Sequence, residues 1–195
     1  MNIDELKGLG MWKDWQENVK RGLPNFAADA LFVEQNSIKP ERFCEVAEQV
    51  IKNGVIDVPG MTRDVQFGGR AVETRIGPVT RMWLDSNIEY DFLRRNIPNL
   101  KQQKVLDIGA GYGRLAVTLA PFVAEFTCVD AVPISTQVCR EYTSKFNPAI
   151  RVLSLEEFVS SPPEITLAIN VHSFNECTLA SMIGRHQPKY YQGHH

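Results

Sequence analysis

Between residues 101 and 170 the chain alternates short apolar runs with amphipathic stretches. KVLDIG is an apolar run closed by an acid and a glycine, RLAVTLAPF is helical, and EFTCVD is a second run closed by an acid. PISTQVCREYTSKF opens on a proline, and Ile134, Val138, Tyr142 and Phe146 fall on one helical stripe. IRVLSL and EITLAIN predict a third and a fourth strand, with a further helix from about Cys177. Mostly apolar strands alternating with helices predict a parallel sheet covered on both faces.

The first hundred residues have a different pattern. Met11, Trp12, Trp15 and Val19 share one helical face, as do Leu23, Phe26, Ala27, Ala30 and Leu31. Phe43, Val46, Ala47, Val50 and Ile51 repeat at spacings of three and four. Pro40 suits a first helical turn, and Asn53-Gly54 a helix stop. Residues 55 to 83, rich in Gly, Pro and Arg, read as a long loop with short extended pieces. Such a loop is either functional or plain connection. In SNIEYDFLRRN, Ser86 and Glu89 have capping-box spacing, and Ile88, Phe92 and Leu93 give an apolar face. The expected fold is α/β, a partial Rossmann-like sheet of about four parallel strands with flanking helices, behind an α-helical N-terminal extension. The expected division is residues 1–100, with 55–83 as lid or substrate side, then 101–184, then a tail, 185–195.

Composition narrows the partners. Of 195 residues, 44% are hydrophobic and 23% charged, with net charge −2, so no electrostatic argument favours nucleic acid or an anionic membrane. A small-molecule partner fits better. The cysteines at 44, 128, 139 and 177 form no C-x-x-C pair, and Cys128 and Cys139 read as small core residues. MNIDELKGLGMWKDW is not a secretion signal, and no apolar segment reaches the ~18 residues of a membrane span. A soluble cytoplasmic protein is expected. His186, His194 and His195 lack a recognised ligand spacing, so no metal is expected.

The chemistry is concentrated in VLDIGAGYGRLA. Asp107 ends the first strand, and Gly109, Gly111 and Gly113 follow at alternate positions. Glycine permits positive φ and lets a ligand lie against bare backbone. Asp130 closes the next strand, and in a right-handed βαβ unit it shares the sheet edge of the glycine loop. There it can accept hydrogen bonds from both hydroxyls of a ribose. Alternatively it caps the helix beginning at Pro133. A dinucleotide fold prefers G-x-G-x-x-G; here the third glycine comes one residue early.

LDIGAGYGRLA, then VDAVP, then an apolar strand ending in Asn170, resembles the class I S-adenosylmethionine-dependent methyltransferases over roughly residues 100 to 184. The resemblance implies S-adenosyl-L-methionine as cofactor, with Asp107, Gly109, Gly111 and Gly113 on its methionine side and Asp130 on its ribose. Leu155 and Glu156, in LSLEEF, are candidates for the adenine edge. Ser154 and Glu157 there also have capping-box spacing, and both readings can hold. NVHSFNE together with SNIEYDFLRRN is similar to bacterial proteins grouped as sugar O-methyltransferases, which implies a sugar hydroxyl or another small molecule as acceptor.

Methyl transfer to a hydroxyl needs the nucleophile about 3 Å from the methyl carbon and a base for its proton. His172, two residues past the last expected strand, is the base candidate, with an unperturbed pKa near ~6.5. Its alternative role is a loop histidine satisfied by backbone. Glu176 would orient it or act as the base. Asn170 and Asn175 would orient cofactor or substrate. The complete family fold has seven strands, and here no apolar strand pattern follows Asn175, so a truncated fold is expected. Its fourth strand would form an exposed sheet edge that favours self-association. Two other classes stay open: a non-catalytic cofactor-binding remnant or half-domain needing a partner chain, and an NAD-linked oxidoreductase.

Overall fold

The computed structural model describes residues 40–54, 60–171 and 173. The helical stripes within 1–39, the helix expected from Cys177 and the tail lie outside these residues, as do His172, Asn175 and Glu176. Helix α1 (Pro40–Lys52) buries Ala47 and Val50 on its apolar face. It stops where Asn53-Gly54 predicts: Gly54 takes φ +77°, and the amides of Asn53 and Gly54 turn back to the carbonyls of Gln49 and Ile51.

Of the stretch read as a long loop, residues 60–83 are described, and they hold a 3-10 turn, a hairpin and the start of a helix. Arg63–Phe67 forms a 3-10 turn, closed by Gly68 in the left-handed conformation. Strands β1 (Ala71–Thr74) and β2 (Gly77–Thr80) pair antiparallel, Ala71 opposite Thr80 and Thr74 opposite Gly77. At four residues each they are too short to display a period of two. Helix α2 spans Arg81–Asn96 and begins before the Ser86 start predicted for it. Its N-cap is Thr80, whose hydroxyl accepts from the Trp83 amide at 3.3 Å. Starting there buries Met82, Trp83 and Leu84. Ser86 is therefore an interior residue of the helix, and the Ser86–Glu89 capping box is corrected: both side chains face Arg114. The predicted apolar face is also rotated, since Leu93 is buried while Ile88 and Phe92 are exposed.

The parallel sheet follows as the sequence pattern predicts. It contains β3 (Lys104–Ile108), β4 (Glu125–Asp130), β5 (Arg151–Ser154) and β6 (Leu167–Ile169), in the spatial order β5-β4-β3-β6. Asp107 stands beside Cys128 and Ile169, and Asp130 beside Ser154. Helix α3 (Arg114–Leu119) follows β3, α4 (Pro133–Phe146) follows β4, and α5 (Leu155–Ser160) follows β5. Ser154 and Glu157 form the capping box expected at the start of α5.

Two apolar clusters hold these elements. In the larger, Met82 and Leu93 of α2, Leu115 and Leu119 of α3, and Val138 and Tyr142 of α4 pack with Val105, Phe126 and Cys128 of the sheet. Fully burying one such side chain contributes roughly 1.5–3 kcal/mol. Cys128 and Cys139 are both buried, as expected of core cysteines; the Cys139 sulfur beside it and burial push the Cys128 thiol pKa up. In the smaller cluster, Ala47, Val50, Met61, Val79, Trp83 and Leu84 join α1, the hairpin and α2. Among the described residues no helix is long and apolar enough to cross a membrane.

A polar clamp fixes α2 to α3. Arg114 donates to both Glu89 oxygens, at 2.8 and 2.7 Å, and to the Ser86 hydroxyl at 2.9 Å. Burial alone would lower the Arg114 pKa, but the charge and hydrogen bonds of Glu89 raise it instead. Removing one partner leaves the other charge unpaired in a poorly solvated place. Glu89→Gln is therefore expected to cost roughly 2–4 kcal/mol, somewhat below the range for a fully buried pair because each side chain keeps some water contact. Ser86→Ala should cost about 1 kcal/mol. Urea denaturation measures both, and a loss under about 0.5 kcal/mol for Glu89→Gln, within the range of ordinary surface substitutions, would remove the clamp from the account.

Candidate active site

The strand order places the site. From β3 the chain adds β4 and β5 on one side, then returns to the other side of β3 with β6. Neighbouring connections therefore diverge beyond the carboxyl ends of β3 and β6, and in open α/β sheets that crevice receives ligands. The carbonyl of Ile108, the last residue of β3, lies at this point. The Asn170 amide donates to it at 2.6 Å and the Ser173 hydroxyl at 3.0 Å. Asn170 also donates to Ser173. The segment after β6 is thereby fastened to the start of the glycine loop across 62 and 65 positions of sequence.

The loop itself depends on positive φ. Gly109 lies at +74° and Gly113 at +89°, where a side chain is strained. A Cβ at Gly109 would collide with the Ser173 hydroxyl, and one at Gly113 would fall 2.8 Å from a Thr143 methyl and 2.9 Å from the Cys139 sulfur. Gly113 is thus needed partly for the close approach of α4. The loop amides have partners within the protein. Gly109 and Ala110 donate to the Val129 carbonyl, Gly111 to the Asp130 carboxylate at 3.0 Å, and Gly113 to the Ala110 carbonyl.

Asp130 stands at the end of β4, as expected. One of its oxygens accepts from Gly111 and the other from the Val132 amide at 2.8 Å. The N-cap of α4 is Val132 with Pro133 behind it, so Asp130 supports the loop rather than capping the helix. Carboxylate oxygens each accept more than one hydrogen bond, so these two amides hold the group in place without exhausting it. Leu155 and Glu156 follow β5 at the same edge, Leu155 half-buried and Glu156 exposed. Asp107, Gly109, Gly111, Gly113, Asp130, Leu155, Glu156 and Asn170 are therefore all gathered along one carboxyl edge of the sheet.

Asp107 is the unusual member. It is buried, and no hydrogen bond reaches its carboxylate among the described residues. Burial pushes its pKa up to about 7; Arg114 opposes the shift, while Glu89 and Asp130 add to it. Asp107 and Asp130 are thus close enough to act on each other's charge.

Sequence reading did not find Ser173, Arg114 or Asp64 as parts of this neighbourhood. Arg114 carried a signal. It is the first residue of α3, where the helix dipole disfavours a cation, so an acidic partner had to be near. Tyr112 also carried one, as the single bulky residue inside the glycine loop. Ser173 and Asp64 carried none.

No protein-family model matches the chain, and no curated protein matches it. Among solved structures, it is similar to a protein of Methanococcus maripaludis provisionally described as an S-adenosyl-L-methionine-dependent methyltransferase, at 13% identity and TM-score 0.41, over 77% of this chain and 59% of that one. It is similar to a SAM-dependent methyltransferase of Thiobacillus denitrificans solved with S-adenosyl-L-homocysteine, at 17% identity and TM-score 0.38, over 49% and 41% of the two chains. A third is YcgJ of Bacillus subtilis, at 22% identity and TM-score 0.36, over 43% and 37%. The chain spans less than two thirds of the length of each of these proteins.

The raised Asp107 pKa has a defined effect on stability. The folded state keeps a proton that the unfolded chain releases near the ordinary carboxyl value of 3.8. Its contribution to stability is full below about pH 4 and is lost as pH rises through about 7. Asp107→Asn should match the wild type at pH 4 and melt higher by roughly 5 °C at pH 8. Calorimetric melting at the two pH values tests this; an equal difference at both would mean that Asp107 is not the titrating group.

Proposed function

We propose that the chain binds S-adenosyl-L-methionine and transfers its methyl group to a hydroxyl of a sugar or another small molecule. One observation carries this reading: Asp107 is buried at the end of β3, with no hydrogen-bond donor on its carboxylate among the described residues, and stands beside the glycine loop and near the Asp130 carboxylate. A buried carboxylate without donors is costly, and a ligand that brings a cation or donors offsets that cost. S-adenosyl-L-methionine has an ammonium group, a sulfonium and a ribose diol. When bound, it supplies a methyl carbon made electrophilic by the sulfonium.

The residues fit such a molecule. Asp107 and the glycine loop face the methionine portion in this reading. Asp130, positioned by two amides, takes the ribose diol, and Leu155 and Glu156 border the adenine end. Asn170 orients the segment that follows β6. His172 removes the proton of the acceptor hydroxyl, and Glu176 orients the imidazole or serves as the base. The sugar acceptor is supported by the likeness of NVHSFNE and SNIEYDFLRRN to the sugar O-methyltransferases.

The NAD-linked alternative fits the electrostatics less well. A pyrophosphate on the glycine loop would lie near the Asp107 carboxyl group, and the adjacent Arg114 is committed to Glu89. Four amides of the loop, those of Gly109, Ala110, Gly111 and Gly113, already donate inside the protein.

Calorimetric titration with S-adenosyl-L-methionine and a methyl-transfer assay over a panel of sugars test the proposal together. Binding is expected, and Asp130→Ala should weaken it at least tenfold, the worth of one charged hydrogen bond. His172→Ala should abolish transfer and leave cofactor affinity within about twofold, since a general base acts on the acceptor. Binding without turnover on any hydroxyl acceptor would leave a cofactor-binding protein that is not an enzyme. Absence of binding, with NADH binding in its place, would overturn the reading.

A further inference from the structure

Asp64 lies 43 positions before Asp107 and outside every motif in the sequence, yet it is 3% exposed. It sits in the 3-10 turn Arg63–Phe67 and accepts two hydrogen bonds, from the Tyr142 hydroxyl at 2.8 Å and the Tyr112 hydroxyl at 3.2 Å. Burial raises its pKa against the lowering effect of both tyrosines. Its backbone is fixed just as closely. The Gly69 amide donates to the Asp64 carbonyl at 2.8 Å, and a Cβ on Gly69 would stand 2.7 Å from that oxygen. Phe67 then packs its ring edge against Tyr142 and Phe146 of α4.

Tyr112 is the link to the site. It is the residue between Gly111, whose amide meets Asp130, and Gly113, whose bare Cα faces α4. Its ring is buried edge-on against Tyr142 at 5.1 Å, and its hydroxyl ends on Asp64. The loop backbone on either side can take positive φ freely because both neighbours are glycine, so the tyrosine side chain supplies the restraint that glycines lack.

We infer that Asp64 is a positioning residue for the glycine loop, acting through the Tyr112 hydroxyl to hold the Gly111 amide against Asp130. The inference rests on the reading that this loop receives S-adenosyl-L-methionine. Asp64 touches no reacting atom in it. The segment before the sheet thereby sets cofactor affinity from outside the α/β unit.

Two hydroxyl deletions on the same carboxylate separate positioning from plain stability. Tyr112→Phe removes the bond that reaches the loop. Tyr142→Phe removes the shorter bond, which reaches only α4. Both variants of the full chain are titrated with S-adenosyl-L-homocysteine and melted by calorimetry. Tyr112→Phe should raise Kd about tenfold, the loss of one hydrogen bond to a charged group. Tyr142→Phe should lower Tm at least as much and leave Kd within about twofold, because the bond it removes ends on α4 and the Tyr112 hydroxyl keeps its own bond to Asp64. Kd changes that simply follow the Tm losses, or none in either variant, would overturn the inference. Amide hydrogen exchange in the ligand-free chain gives an independent readout: Tyr112→Phe should speed exchange at Gly111 and Gly113, and Tyr142→Phe should not. Unchanged loop exchange sinks the positioning role even if the wild type binds the cofactor. If the wild type binds none while loop exchange responds as described, the cofactor reading fails and the restraint on the loop stands.

Discussion

Taking the Arg114 guanidinium out of water is unfavourable by several kcal/mol unless good partners replace the water. Here the replacement is a two-pronged contact with Glu89, reinforced by Ser86. That contact decides how α2 lies on α3, and much else follows from it. Once α2 is set, Trp83 and Leu84 face the cluster with α1 and the hairpin, while Met82 and Leu93 face the larger core. The hairpin in turn fixes the approach to the 3-10 turn that carries Asp64. Arg114 also stands near Asp107 and partly offsets the cost of burying it. One ion pair therefore connects the framework with the charge state of the site.

The sheet was legible because its signal is repeated. Four apolar runs, each ending near a turn and separated by amphipathic segments, leave few topologies open. Asp107, the three glycines, Asp130 and Asn170 could be placed at one edge because parallel strands put all their carboxyl ends together. The start of α2 was not legible in the same way. Ser86 and Glu89 have the spacing of a capping box, and the same spacing puts two side chains on one helical face, where they can clasp a cation instead. Only the partner distinguishes the two, and Arg114 lies 25 positions further on. Thr80, the actual cap, is the last residue of β2, a strand of four residues too short to display a period of two. Asp64 was invisible for a related reason. A single acid in an irregular stretch looks like a surface residue until two tyrosines from distant segments close over it.

The glycines of the loop do not all serve one purpose. Gly109 makes room for Ser173, Gly113 makes room for α4, and Gly111 offers its amide to Asp130. A motif that reads as a ligand cradle is here also a packing device, and its spacing is explained by its protein neighbours. The charges around it carry the chemical information: Asp107 lies close enough to Asp130 for the second carboxylate to add to the rise of its pKa, and the nearest guanidinium is already neutralised.

The contacts that assemble this edge have one further property in common. Asn170 reaches back 62 positions to Ile108, Tyr112 reaches 48 to Asp64, and Tyr142 reaches 78 to the same carboxylate. Closing such long loops is slow compared with forming α2 or α4, whose bonds are local. The glycine loop thus takes its order from segments far away in the sequence, Asp64 before it and Asn170 after it. Local bonds alone therefore do not order the site: its geometry rests on contacts of long reach along the described chain.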